Sequence, residues 1–313
     1  MKHTNVAPYT AFRIPIRLRT AIFGLSVLLF AIFTLSQKGG RIVEADIHTA
    51  KIAAGSQREP DSPSATFTVT NTNDSGAGSL RQAIIDANST VGADLITFNI
   101  TGAGVRTITP LSALPIITDS VNIDATTQPG FAGSPLIELN GTSAGSNGLS
   151  ISASNSVVKG LVINRFSING ILVQGGNNVI SGNYIGTNSA GTAALPNGLH
   201  GVTIDSSSGN TVGGITAGTR NVISGNTQRG VFISGTATNN NVQGNFIGTN
   251  AAGTAAVKNS FAGVTIQAPA SNNLIGGSTA AQRNVISGND IAGVSIESNA
   301  VVAPATGNRV QGN

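Results

Sequence analysis

Cysteine and tryptophan are absent from the 313 residues, and methionine occurs once. Without cysteine the fold cannot rely on disulfides, so cohesion has to come from packing and backbone hydrogen bonds. Charged residues make up 10% of the chain and aromatics 4%, where an ordinary soluble domain is about a quarter charged. That mixture serves a globular helical domain poorly. What the chain has in quantity is glycine, 40 residues. Glycine supplies the positive backbone φ of tight turns, and asparagine tolerates it. Short strands joined by many turns are the expected result.

The pI of 9.9 suggests a nucleic-acid or acidic-lipid partner until the charges are divided by region. Residues 1–60 hold eight Lys and Arg against three acids, and residues 61–313 hold nine against ten. The body is close to neutral and has no basic face interleaved with aromatics, so no nucleic-acid partner is expected. The basic excess belongs to a segment with the order of an export signal. Lys2, Arg13, Arg17 and Arg19 precede an apolar run from Ala21 to Leu35, a positive n-region followed by an h-region. Residues 1–45 therefore read as a signal peptide or signal anchor. Cleavage after Ala45 or Ser36 leaves a free chain, and an uncleaved run is the one route to a membrane. Residues 46–64, with Pro60 and Pro63, read as a linker.

Internal repetition decides the fold class. GNYIGTNSAGTAA at 182–194 returns as GNFIGTNAAGTAA at 244–256, and RNVISGN at 220 returns at 283. A GVxI-type signature occurs twice in each long repeat, which places unit starts at Gly170, Gly201, Gly230, Gly263 and Gly293. Each unit of about thirty residues holds three short apolar pieces separated by Gly and Asn turns, the pattern of one coil of a parallel β-helix. Period-two alternation sends Ile171 and Val173, Val202 and Ile204, Val231 and Ile233, Val264 and Ile266, and Val294 and Ile296 inward. Recurrent Asn183, Asn226, Asn245 and Asn289 are expected at turns, as a ladder of side-chain amides. No segment between 121 and 313 carries a helical period of useful length. The fold class is all-β: a right-handed parallel β-helix, or solenoid, with an N-terminal capping helix.

A β-helix needs a lid over its first coil, and residues 65–120 supply a candidate. GAGSLRQAIIDAN at 76–88 reads as a helix with Ser79 as N-cap, Gln82 completing a capping box, and Leu80, Ala83, Ile84 and Ala87 on one face. Residues 121–313 are the coils, and RVQGN at 309–313 stops where the matching NVQGN at 241–245 continues, so truncation at the C-terminus is expected. The TVTNTNDSGAGSLRQAI motif, with LITFNI, LPIITDSVNID and the RNVISGN repeats, resembles a family of secreted bacterial right-handed β-helix proteins. They are related in fold to pectate lyases and carry an SLRxAI-type cap. The resemblance covers 65–313 and implies an extracellular or cell-surface location, mostly without an assigned activity.

Reading the coils in register tests for surface chemistry. The outward residue of GVxI runs Leu172, Thr203, Phe232, Thr265, Ser295, too irregular for an ice-binding array. The next position runs Gln174, Asp205, Ser234, Gln267, Glu297, with its two acids about 14 Å apart at sheet spacing. A glycosidase pair needs about 5–9.5 Å. No catalytic, cofactor or metal set is assembled. Arg220 and Arg283 occupy equivalent positions two coils apart and, with Phe232, are the candidate glycan contacts. Tyr184 and Phe246 are expected to pack against neighbouring coils, and His200 reads as an exposed loop residue. The expected function is a non-catalytic extracellular or cell-surface scaffold for adhesion or display, with polysaccharide or cell-surface components as partners and no cofactor. The alternative is a polysaccharide-binding lyase or glycoside hydrolase of β-helix type with its active site outside this sequence.

Overall fold

A computed structural model describes residues 65–298 and 304–313; the segments read as signal and linker lie outside the described residues. The chain winds as a right-handed parallel β-helix with three sheets. Sheet A has nine strands, beginning with Thr66–Val69 and Asp94–Phe98 and ending with Arg309–Gln311. Sheet B has seven, from Arg106–Ile108 to Val285–Ile286, and sheet C six, from Leu149–Ile151 to Ala292–Glu297. Coils are numbered by their sheet A strand: coil 1 Asp94–Phe98, coil 2 Val121–Asp124, coil 3 Val157–Lys159, coil 4 Val179–Ser181, coil 5 Thr211–Gly213, coil 6 Asn241–Gln243 and coil 7 Leu274–Gly276.

The GVxI strands form sheet C, and their register is the one read from the repeats. Val202 pairs with Val231, and Val231 with Val264, all in parallel. Val202, Ile204, Val231, Ile233, Val264 and Ile266 are fully buried. Each such burial contributes about 1.5–3 kcal/mol, and stacking identical positions makes the contributions continuous along the axis. Val294 and Ile296 belong to the last strand of sheet C, and Ile296 is 48% exposed, because no described strand covers it.

The glycine that opens each unit is required by close approach. A Cβ on Gly201 would stand 2.7 Å from the Gly230 carbonyl oxygen, and one on Gly230 would stand 2.6 Å from that of Gly263. Each coil therefore leaves room for the backbone of the next.

Asparagine forms three ladders instead of one. Asn178, Asn210, Asn240, Asn273 and Asn308 line the corner between sheets C and A, where each Oδ1 from Asn210 onward accepts the backbone N–H of the rung before it. Asn183, Asn221, Asn245, Asn284 and Asn313 line the A-to-B corner. Asn197, Asn226, Asn259 and Asn289 line the B-to-C corner. The expected single ladder is thereby corrected: Asn183 and Asn245 belong to the second, Asn226 and Asn289 to the third. The same Gly-Asn dipeptide follows a sheet A strand in one case and a sheet B strand in the other. Before all five rungs of the first ladder stand left-handed residues, Asn177, Gly209, Asn239, Asn272 and Gly307, which turn the chain into the corner.

Helix α1 (Leu80–Ser89) lies against the first two strands of sheet A and buries Leu80, Ala83, Ile84 and Ala87. Ser79 Oγ accepts the Gln82 N–H at 3.2 Å, half of the expected capping box. The other half is absent because the Ser79 N–H already donates to the Gly76 carbonyl. The Gln82 amide turns instead to Asp86 Oδ1, 2.8 Å away.

The two-coil period also has a structural cause. Coils 4 and 6 carry long B-to-C connections, whereas coils 5 and 7 carry long A-to-B corners. The loops of coils 4 and 6 reach over coil 5, where the Ala251 N–H donates to the Gly191 carbonyl at 2.8 Å.

Candidate functional site

The outer face of sheet C is where the register places polar side chains in rows. Asp205 pairs with Ser234, and Gln267 with Glu297, so the two acids stand three strands apart, about 14 Å. Four further acids are closed into ion pairs: Asp74 with Arg81 at 2.7 Å, Asp124 with Lys159 at 2.9 Å, Glu138 with Arg165 at 3.6 Å and Asp290 with Lys258 at 3.0 Å. Among the described residues no group of three His, Cys, Asp or Glu side chains could hold a metal ion.

The densest cluster centres on Arg229, immediately before the unit glycine Gly230. Its guanidinium lies between two aromatic rings, 4.7 Å from the Phe232 centroid and 4.4 Å from that of Phe261. Nε donates to Thr265 Oγ1 at 3.1 Å, one coil on, and Nη2 donates to both carboxylate oxygens of Glu297 at 3.3 Å, two coils on. This side chain ties coils 5, 6 and 7 together on the outside of the sheet. Arg229 stands before the glycine that opens its unit and so falls outside both rows read from the GVxI strands. The column one residue before each glycine runs Asn147, Asn169, His200, Arg229 and then Ala262 and Ala292, so its polar stretch ends at Arg229.

His200 belongs to that column and corrects the expectation of an exposed loop residue. It is 7% exposed, its ring is 4.7 Å from that of Phe232, and its Nδ1 accepts the Arg229 backbone N–H at 3.3 Å. Burial, followed by the nearby Arg229 charge, pushes its pKa down to about 4. The imidazole is therefore neutral at physiological pH with Nδ1 already engaged. Protonation at Nδ1 would set one N–H against another. The face as a whole presents a filled surface in which Arg229 and Glu297 neutralise each other.

The three candidate glycan contacts are divided between two places. Phe232 is part of the sheet C cluster just described. Arg220 and Arg283 sit at the A-to-B corner, where each Nε donates to a glycine carbonyl of the following coil, Gly244 and Gly312, at 3.1 Å. The Arg220 guanidinium lies 4.2 Å over the ring of Phe246, which is 9% exposed and lies close to Gly253 of its own loop. Tyr184 lies close to Gly191 in the same manner. Both aromatics thus pack mainly on the loops that follow them.

No protein-family model matches the chain, and no curated protein matches it. Its chemistry rests on its own geometry, and among the described residues that geometry includes no helix long and apolar enough to cross a membrane.

Proposed function

We propose that the chain is a non-catalytic, secreted or cell-surface repeat scaffold whose rigid rod serves adhesion or display. The observation that carries this reading is the outer face of sheet C: the row that holds both Asp205 and Glu297 brings them no closer than three strands, and Arg229 on the same face is held by Glu297. Paired carboxylates need about 5–9.5 Å to cleave a glycosidic bond. Rigidity is supported by the three amide ladders and by the nine strands of sheet A, which extend about 38 Å at sheet spacing.

Export is supported by the order of charge and apolarity at the N-terminus, and by the resemblance of the cap motif to secreted bacterial β-helix proteins of pectate-lyase-like fold. In this reading Ala21 to Leu35 is either removed on export or holds the chain at the membrane. Polysaccharide or other cell-surface components are the partners, and no cofactor takes part. The test is incubation of the purified protein with polyuronides while unsaturated products and new reducing ends are followed. The scaffold reading expects neither. Sustained release of either that scales with protein concentration overturns it.

A further inference from the structure

The corners between sheets A and B are uneven in length. Twelve residues (125–136) join the sheets in coil 2, one in coil 3, two in coil 4 and eight (214–221) in coil 5. The long corners stand as walls beside the two short ones, three strand spacings or about 14 Å apart. Between them runs a groove of about 500 Å³, within the range of about 300–1,000 Å³ usual for small-ligand sites.

Its lining combines two chemistries. Tyr184 and Phe131 supply aromatic surface, and Lys159 and Arg220 supply cations. Lys159 is balanced by Asp124 at 2.9 Å. Arg220 takes part in none of the five ion pairs among the described residues; its hydrogen bond to Gly244 uses Nε. The groove therefore carries one uncompensated positive charge beside ring faces, in a body where nine cations meet ten acids.

We propose that this groove binds an acidic saccharide: a sugar ring bearing a carboxylate, sulfate or phosphate, seated against Tyr184 with its anionic group reaching Arg220. An aromatic face desolvates the C–H side of a sugar ring, and a guanidinium matches the planar edge of an oxyanion. The proposal rests on the scaffold reading, whose polysaccharide partner it narrows to an acidic saccharide; binding and turnover are read by different assays, so failure of the one is distinguishable from failure of the other.

The test is titration of the purified protein with an oligogalacturonide, a heparin oligosaccharide and a neutral cello-oligosaccharide. Binding is followed by calorimetry and by the emission of Tyr184, one of two tyrosines in a chain without tryptophan. At least one acidic ligand is expected to bind, more weakly as salt rises, and the neutral one is not. Arg220→Gln is expected to weaken binding about tenfold or more, the cost of a charge-assisted pair. Arg283→Gln, at the equivalent corner of coil 7 and outside the groove lining, is expected to leave binding unchanged.

Gly218→Asp guards against a folding artefact. Gly218 lines the groove, and a Cβ there meets nothing within 4 Å, so the variant keeps the packing and repels an anion. It is expected to lose acidic-ligand binding with an unchanged melting curve. Absence of binding by either acidic oligosaccharide, equal binding of the neutral one, equal loss in Arg283→Gln, or full binding by a folded Gly218→Asp overturns the proposal.

Discussion

Truncating one rung of an amide ladder has a cost that can be worked from the neighbouring atoms. Asn245 is fully buried. Its Oδ1 accepts the Asn221 N–H at 3.4 Å and Asn221 Nδ2 at 2.9 Å, and its Nδ2 donates to the carbonyls of Val212 and Gln243 and to Asn284 Oδ1 at 2.9, 3.0 and 3.0 Å. In Asn245→Ala some former partners keep another bond: Asn221 Nδ2 still donates to the Ile180 carbonyl, and the Gln243 carbonyl still accepts from Gly214. The Asn221 backbone N–H loses its acceptor. One orphaned buried donor costs about 1–3 kcal/mol, and the net loss of the remaining bonds adds about 1–2, so the expected destabilisation is about 2–5 kcal/mol. That is a large part of the roughly 5–15 kcal/mol that holds a domain together. Urea unfolding followed by far-ultraviolet circular dichroism measures it, with Asn241→Ala as control, a half-buried position on a sheet A strand expected to shift stability by less than about 0.5 kcal/mol. An Asn245→Ala midpoint indistinguishable from the control would refute the ladder.

Two further outcomes follow from the same packing. The folded pKa of His200 is about 4 against an ordinary 6.5, so between those values the unfolded chain takes up a proton that the folded chain refuses. Stability should fall as pH drops from about 6.5 to about 4, by at most about 3 kcal/mol from this group, and His200→Gln should flatten that slope; an identical slope in the variant contradicts the assignment. The Arg81 hydrogen bond that lowers the Asp74 pKa acts in a separate window, its contribution being lost below about 3.8. Gly230→Ala would place a Cβ 2.6 Å from the Gly263 oxygen and 2.7 Å from Ile247 Cγ2, so it should destabilise by about 1–3 kcal/mol, whereas Gly218→Ala should be near neutral by thermal melting.

The coils were legible in the sequence because one motif recurs at a constant face. Val202, Val231 and Val264 announce their stacking by repeating both in type and in spacing. The division of asparagine into three ladders was less legible, since a Gly-Asn dipeptide looks the same at two corners and only the strand before it tells them apart. The Arg229 clamp was hidden for a different reason. Its partners, Thr265 and Glu297, lie one and two coils away in other rows, and a diagonal contact does not appear when rows are read singly. His200 reads as exposed in the sequence because Phe232, which covers it, stands thirty-two residues further on and comes beside it only when the next coil is laid down. The groove beside Tyr184 arises from corner lengths, which no residue type signals.

The register of the coils can be measured by cross-linking, because a chain without native cysteine reports only introduced pairs. Asp205 and Ser234 are direct partners in sheet C, about 4.8 Å apart at parallel-strand spacing and within the roughly 4.4–6.8 Å that a disulfide spans. Asp205→Cys with Ser234→Cys should oxidise to an intramolecular bond. Asp205→Cys with Phe232→Cys, offset by two residues, and Asp205→Cys with Glu297→Cys, three strands away, should not. Efficient bonding in either of those pairs, or none in the first, would contradict the stacked coils on which the scaffold and the groove both rest.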